Sequence, residues 1–314
     1  MTTAELRRSG TIALATTVLC WAAAFPAIRT GLDGFSPWAL GASRLLVASL
    51  ALGAVALVRG ITVPPRAWWG RAVLAGLVGQ TLYQGLLMTG EKTVPAGTAS
   101  LLIATAPLFS VAAAAVLLHE PARRALPGMA LAFAGAALVG ASAGFGGGTG
   151  ALVVLAAAAC QGTYHVVVKP LAEAIGAFPA TAWSVWAGTL LASPALPVAV
   201  HDAASAPASS FVAIAVLGIV SSALGYAAWS VALSRASIAR TTAALYLVPV
   251  VAMVLAWWWL GERPSVVAVI GGALAIAGVV VVRRTPSRPA GAPPETAEAS
   301  SETWAATGET ATQP

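Results

Sequence analysis

Of the 314 residues, 58% are apolar or aromatic and only 9% carry charge, against about 25% in an ordinary soluble domain. Mean hydropathy is +0.84. Too few polar side chains remain to cover a water-exposed surface of this size, which excludes a soluble enzyme, a disordered chain and a soluble nucleic-acid binder. The net charge of +6 does not point to nucleic acid either, because the basic residues are scattered between apolar runs. Cys20 and Cys160 both sit inside such runs and read as core residues, not as a disulfide or a metal site. No metal or cofactor motif is visible, and no cofactor is expected.

A run of about 20 apolar residues crosses a bilayer. The chain holds ten candidates in order: Thr11–Ile28, Pro37–Val58, Trp68–Met88, Ala96–Leu118, Ala125–Ala143, Ala151–Val168, Ala180–Val200, Phe211–Leu233, Ile238–Leu260 and Pro264–Val282. Barrel strands would alternate over about 10 residues, and no such alternation appears. The fold class is therefore an all-α integral membrane protein with ten transmembrane helices, the lipid bilayer being its first partner. Residues 1–10 form a cytoplasmic N-terminal segment and 285–314, rich in Pro, Ala, Ser, Thr and Glu, a disordered cytoplasmic tail. Helix 1, preceded by Arg7 and Arg8, resembles a signal peptide, but its removal would break the repeat described next.

Self-comparison shows that repeat. Pro107 and Glu120 are 13 residues apart, as are Pro249 and Glu262; Gly128–Gly135 matches Gly271–Gly278 at six of eight positions; Arg29 at the end of helix 1 pairs with Lys169 at the end of helix 6. Residues 11–143 and 150–284 are thus two five-helix repeats. Five is odd, so the second enters the membrane upside down, the inverted architecture of secondary carriers. Placing both termini in the cytoplasm puts 13 of the 17 basic residues inside, leaving Arg29, Lys92 and Arg263 outside and Arg44 within helix 2.

The segments Trp21–Arg29, Ala42–Leu45, Glu91–Gly97 and Leu260–Pro264 together resemble the EamA family of the drug/metabolite transporter superfamily, over about residues 10–284. The resemblance implies a ten-helix carrier of small metabolites in the cytoplasmic membrane, often an exporter, with its pathway between the halves. Gln161 departs from the pattern, since Trp there would match Trp21.

Polar groups in a membrane face a cavity or a partner helix. Helix 3 carries Gln80, Tyr83 and Gln84; helix 6 carries Gln161, Tyr164 and His165; helix 8 carries Ser222, Tyr226 and Ser230, with Trp229 beside them. Each set shares a helix face. With Trp21 of helix 1, they define a candidate substrate site at Trp21, Tyr83, Gln84, Gln161, His165, Tyr226 and Trp229. Interhelical hydrogen bonding is the competing reading. Arg44 either anchors an anionic group or is structural, and its presence across carriers of different cargo favours structure. Pro107 and Pro249 kink helices 4 and 9, as gating bends or static kinks. Glu120 and Glu262 read as caps of helices 5 and 10 or as partners of Arg123 and Arg263, and Trp257–Trp259 as an interfacial anchor. No Asp or Glu falls inside a span, so proton coupling, where present, would fall to His165. The function expected is secondary transport, by export, of a small-molecule substrate such as an amino acid-like metabolite. The alternatives are a channel, scaffold or intramembrane enzyme, or a drug-efflux carrier of the same superfamily. With Cys20 and Cys160 replaced, cysteine labelling should find both termini inside and the Phe145–Gly150 segment outside; external labelling of a cysteine at Arg124 would overturn that topology.

Overall fold

A computed structural model describes residues 3–117, 126–142, 144–235 and 245–284. Glu120, Arg123, Arg124, the start of the expected ninth helix at Ile238 and the tail from 285 lie outside these residues, as does the side chain of Ser230. Within lipid every backbone amide must find an acceptor inside the protein, and the described chain is helical throughout its apolar runs. Seven helices are long and apolar enough to span a bilayer: helix 1 (Gly10–Gly31), helix 2 (Pro37–Arg59), helix 3 (Arg66–Glu91), helix 4 (Ala96–Leu117), helix 6 (Thr149–Ile175), helix 7 (Ala177–Ala203) and helix 8 (Ala208–Trp229). Three shorter apolar helices, helix 5 (Leu126–Ser142), helix 9 (Leu247–Leu260) and helix 10 (Val266–Val281), complete the ten.

Two expectations about helix 6 are corrected. Its helix starts at Gly144, so the Phe145–Gly150 segment is helical and not a loop. Packing overrides the weak helix propensity of glycine here: a Cβ at Gly150 would strike Thr93, so glycine lets helix 6 lie directly on the end of helix 3. At the other end the helix runs past Val168 through Lys169 and Pro170 to Ile175. An internal proline removes one donor without ending the helix, and the break comes at Gly176, whose φ of 94° suits glycine.

Two pairs of interruptions obey the repeat. Helix 4 breaks at Ala104–Thr105, just before Pro107, and helix 9 starts after a turn at Leu245–Tyr246, just before Pro249. There the Leu245 carbonyl, freed by Pro249, accepts the Val248 N–H at 3.1 Å. Helices 3 and 8 each contain a wide π-helical stretch, Leu77–Leu82 and Val216–Leu224. Packing is likewise paired: helix 3 lies on helix 6 as helix 8 lies on helix 1, and helix 7 on helix 3 as helix 2 lies on helix 8.

Helices 5 and 10 form the most extensive helix pair, and the matched glycines make it. A Cβ at Gly135 would meet the backbone of Gly271 and Ala275, and one at Gly278 that of Gly128 and Ala132. The halves are also tied by hydroxyls between helices 2, 3 and 7. Ser49 and Thr189 Oγ atoms lie 2.6 Å apart, and Thr81 Oγ1 donates to the Gly188 carbonyl at 2.9 Å.

Helix directions define two ends. The near end holds the helix 2–3 and 6–7 connections; the far end holds the 1–2, 3–4, 7–8 and 9–10 connections. Trp257 and Trp258 project outward toward the far end. Gly135→Val should destabilise the helix 5–10 contact by about 1–3 kcal/mol and lower the detergent-solubilised melting temperature. Gly53→Ala, with no atom within 4 Å of the added carbon, should not; equal melting temperatures for the two would overturn this account of the contact.

Candidate functional site

A cavity of about 400 Å³ lies between the halves. Trp21, Arg44, Tyr83, Gln84, Pro107, Gln161, His165, Tyr226, Trp229 and Pro249 all line it, so the structure brings the seven residues of the candidate substrate site to one place with Arg44 and the two prolines. Seven different helices supply them. The lining extends to Ala172, Ala177 and Phe178 at the near end and includes no residue of a far-end connection. There the chain is closed: Phe35 and Phe211 meet edge to face with centroids 5.6 Å apart, Ser210 Oγ donates to the Thr30 carbonyl at 3.0 Å, and the Asp202 carboxylate accepts from Ser36 N–H and Oγ–H, both at 2.9 Å.

One wall is aromatic. The Trp21 ring sits 5.7 Å from Tyr226 and 5.4 Å from Trp229. Gly225 admits the indole, since a Cβ there would strike Trp21. Another part of the lining is polar. Arg44, only 8% exposed, donates from Nη1 to Gln84 Oε1 at 2.8 Å. Its Nε has no hydrogen-bond partner, and the same holds for Gln161 Oε1 and Ser221 Oγ. His165 sits 3.4 Å from Ser110 Oγ through Nδ1 and 3.5 Å from Gln161 Nε2 through Nε2. Among the described residues no Asp or Glu lines the cavity. A guanidinium without a facing carboxylate makes it a host for an anionic group, and unmatched buried donors and acceptors mark where a ligand's polar atoms would be repaid.

Some assignments change. Ser222 spends its hydroxyl on the Leu217 carbonyl at 2.9 Å, and Ser221 lines the cavity in its place. The π-helical stretch in helix 8 shifts the angular phase that α-helical counting assumes. Gln80 is buried beneath helix 7, against Gly188, rather than in the cavity. Tyr246, Thr181 and Phe178 join the lining; Tyr246 stands one turn before Pro249 in the sequence, and nothing local marks the other two. Arg44 is bonded within the protein and also lines the cavity.

Glu262 neither caps helix 10 nor pairs with Arg263. Ser265 Oγ takes the capping role, accepting Ala268 N–H at 3.1 Å. Gly261, at φ 70°, turns Glu262 toward the first half, where Oε2 accepts the Ala96 N–H at 2.8 Å and Oε1 lies 3.5 Å from Arg29 Nε. Arg29 Nη1 donates to the carbonyls of Glu91 and Lys92. Glu91, which the sequence placed in a connection, is the last residue of helix 3 and fully buried.

The sequence profile of the EamA-like transporter family matches the chain twice, over residues 8–141 and 148–284. A protein of Streptantibioticus cattleyicolor named "Probable terminal-alkyne amino-acid exporter" is 47% identical over 87% of this chain and 92% of its own length. The "Uncharacterized transporter YdfC" of Bacillus subtilis is 32% identical over 82% and 86%, and the "Uncharacterized inner membrane transporter YedA" of Escherichia coli 25% over 84% and 87%. One solved crystal structure superposes with a TM-score of 0.57 at 23% identity, covering 91% of this chain and all of that one; this likeness shows the fold alone.

Gln84→Leu strips Arg44 of its acceptor and should cost about 1.5–3 kcal/mol, the range for hydrogen bonds to charged groups. Adding Arg44→Met should recover most of the loss. A thermal-unfolding double-mutant cycle with purely additive effects would show that the pair is not coupled.

Proposed function

The chain belongs to the EamA-like transporter family, and on that premise we propose that it exports a small amino acid, or a closely related amphipathic metabolite, by alternating access. It is a multi-pass membrane transporter. The near end is the cytoplasmic one in this reading, supported by the bias of Lys and Arg toward that side, and both termini are cytoplasmic. The cavity at the near end then receives its substrate from the cell while the far end is closed.

One observation carries the substrate class: Arg44, buried at the cavity wall with its Nε unmatched, shares a space of about 400 Å³ with an aromatic cluster. A carboxylate on Arg44 and an ammonium over the faces of Trp21, Tyr226 and Trp229 satisfy both walls. Gln161 Oε1 adds an acceptor for the ammonium. The printed name of the 47%-identical relative supports the same class, and a slim apolar side chain fits the remaining wall of Phe178 and Val168. A multiply charged nucleotide would need more cations than this cavity has. Pro107 and Pro249, at matched helix breaks on the two sides of the cavity, serve as the bends about which the halves rock.

Efflux of a panel of labelled neutral amino acids, measured in right-side-out and inside-out vesicles, tests the reading. Gln161→Ala should raise the apparent substrate constant by roughly 2- to 13-fold, the equivalent of about 0.5–1.5 kcal/mol, with normal membrane expression. Trp229→Ala should change the order of preference among side chains. Unchanged kinetics in both variants would remove the cavity as the substrate site.

A further inference from the structure

The far-end closure contains a group that neither packing nor substrate binding uses. Glu91 is fully buried, and neither carboxyl oxygen has a hydrogen-bond partner. Enclosing an ionised carboxylate without a donor is strongly unfavourable. A cation is nevertheless beside it, because Arg29 Nη1 donates to Glu91's own backbone carbonyl. That guanidinium is committed elsewhere, to the backbone carbonyls of Glu91 and Lys92 and to Glu262 Oε1 at 3.5 Å. Arg29 and Glu91 belong to the first half and Glu262 to the second, so the Arg29–Glu262 pair is a latch between the halves.

We propose that Glu91 binds one proton while the far end is closed, and that opening this end releases the proton to far-side water and passes Arg29 from Glu262 to the ionised Glu91. The proposal deepens the alternating-access reading, on which it rests, by giving it a proton-binding site. In the closed state Glu91 is neutral and Arg29 neutralises Glu262. When the halves part, Glu262 is left to water, the Glu91 O–H bond breaks, and the carboxylate accepts Arg29 in an ion pair on the same half. The repeat sets Leu233 where the first half has Glu91, so this carboxyl has no counterpart in the second half. Raising the pH on the far side therefore favours opening, and acid there holds the carrier facing the near side.

The charged and titratable groups whose fields reach the Glu91 carboxyl are Arg29 on helix 1, Glu262 after helix 9, Arg44 on helix 2 and Tyr83 two turns back on helix 3. Lys92 follows it in the chain and is exposed. Helices 4 and 6 bring none: the segments against this corner are Ala96–Ser100 and Gly150–Val154. His165, the coupling candidate from sequence, is in the cavity instead.

Spin labels at Asp33 and Arg263, on opposite halves and both exposed, report opening of the far end without any substrate. In nanodiscs, with Cys20 and Cys160 replaced, pulsed electron paramagnetic resonance from pH 5 to 9 should show a longer distance growing at the expense of a shorter one. For one linked proton the ratio rises by up to tenfold per pH unit. Glu91→Gln and Glu91→Met, both neutral, should hold the short distance at every pH, and either one suffices if the other fails to fold. Glu262→Gln should open the far end at all pH values. The proposal is overturned if the wild type shows no pH response, if both folded Glu91 variants keep it, or if His165→Gln abolishes it. Failure of the vesicle panel alongside an intact distance response would remove the substrate reading and leave the latch standing.

Discussion

A backbone amide in hydrocarbon has no water to turn to, and each one left without an acceptor costs several kcal/mol. Most of this structure follows from that constraint. It makes the chain helical, and it makes every departure from α-helix a matter needing compensation. Two pairs of these departures follow the repeat. Pro107 and Pro249 each lie just after a turn, and the Leu245 carbonyl accepts the Val248 N–H there. The π-helical stretches in helices 3 and 8 keep all backbone groups bonded while inserting extra residues into the turn. Compensated irregularities are placed where the two halves face each other, which is where a carrier has to bend.

The same constraint explains the economy of charge. Arg44 is tolerated in the middle of the protein because Gln84 answers it and the cavity lies beside it. Arg29 and Glu262 meet at the far end, where the helix 3 carbonyls and the helix 4 amide share the cost of burying them. Polar groups therefore mark function here more sharply than in a soluble protein, where solvated charges outnumber working ones.

That sharpness decided what could be read in advance. Span count, the inverted repeat and the cavity face were legible because each rests on short-range spacing: apolar run length, the 13-residue Pro…Glu interval, and i, i+3/i+4 polar sets. What was not legible depends on contacts distant in sequence. Glu262 finds Ala96 and Arg29 across 166 and 233 positions of chain, and nothing local distinguishes that from a cap on its own helix. Glu91 looks like a connection residue because its neighbour Lys92 is charged, yet it ends helix 3 and is fully buried. Ser221 replaces Ser222 at the cavity because a π-turn changes the phase, and such turns leave no periodic trace. Helix 6 outruns its apolar stretch because glycine against Thr93 rewards packing that propensity disfavours.

The glycine faces of helices 5 and 10 carry one more consequence. What the Gly128–Gly135 face meets in the intact chain is its own duplicate, Gly271–Gly278, approaching from the opposite direction. A surface that fits an inverted copy of itself needs no second specificity. The two copies then differ in the one property that self-complementarity cannot provide, which is the direction of entry. That difference is written in the connections. In the first half basic residues gather where its first and third helices begin, and in the second where its first and third helices end. An ancestral five-helix unit with evenly divided charge would have had no reason to prefer either direction, and duplication followed by a few Lys and Arg exchanges would commit each copy to one.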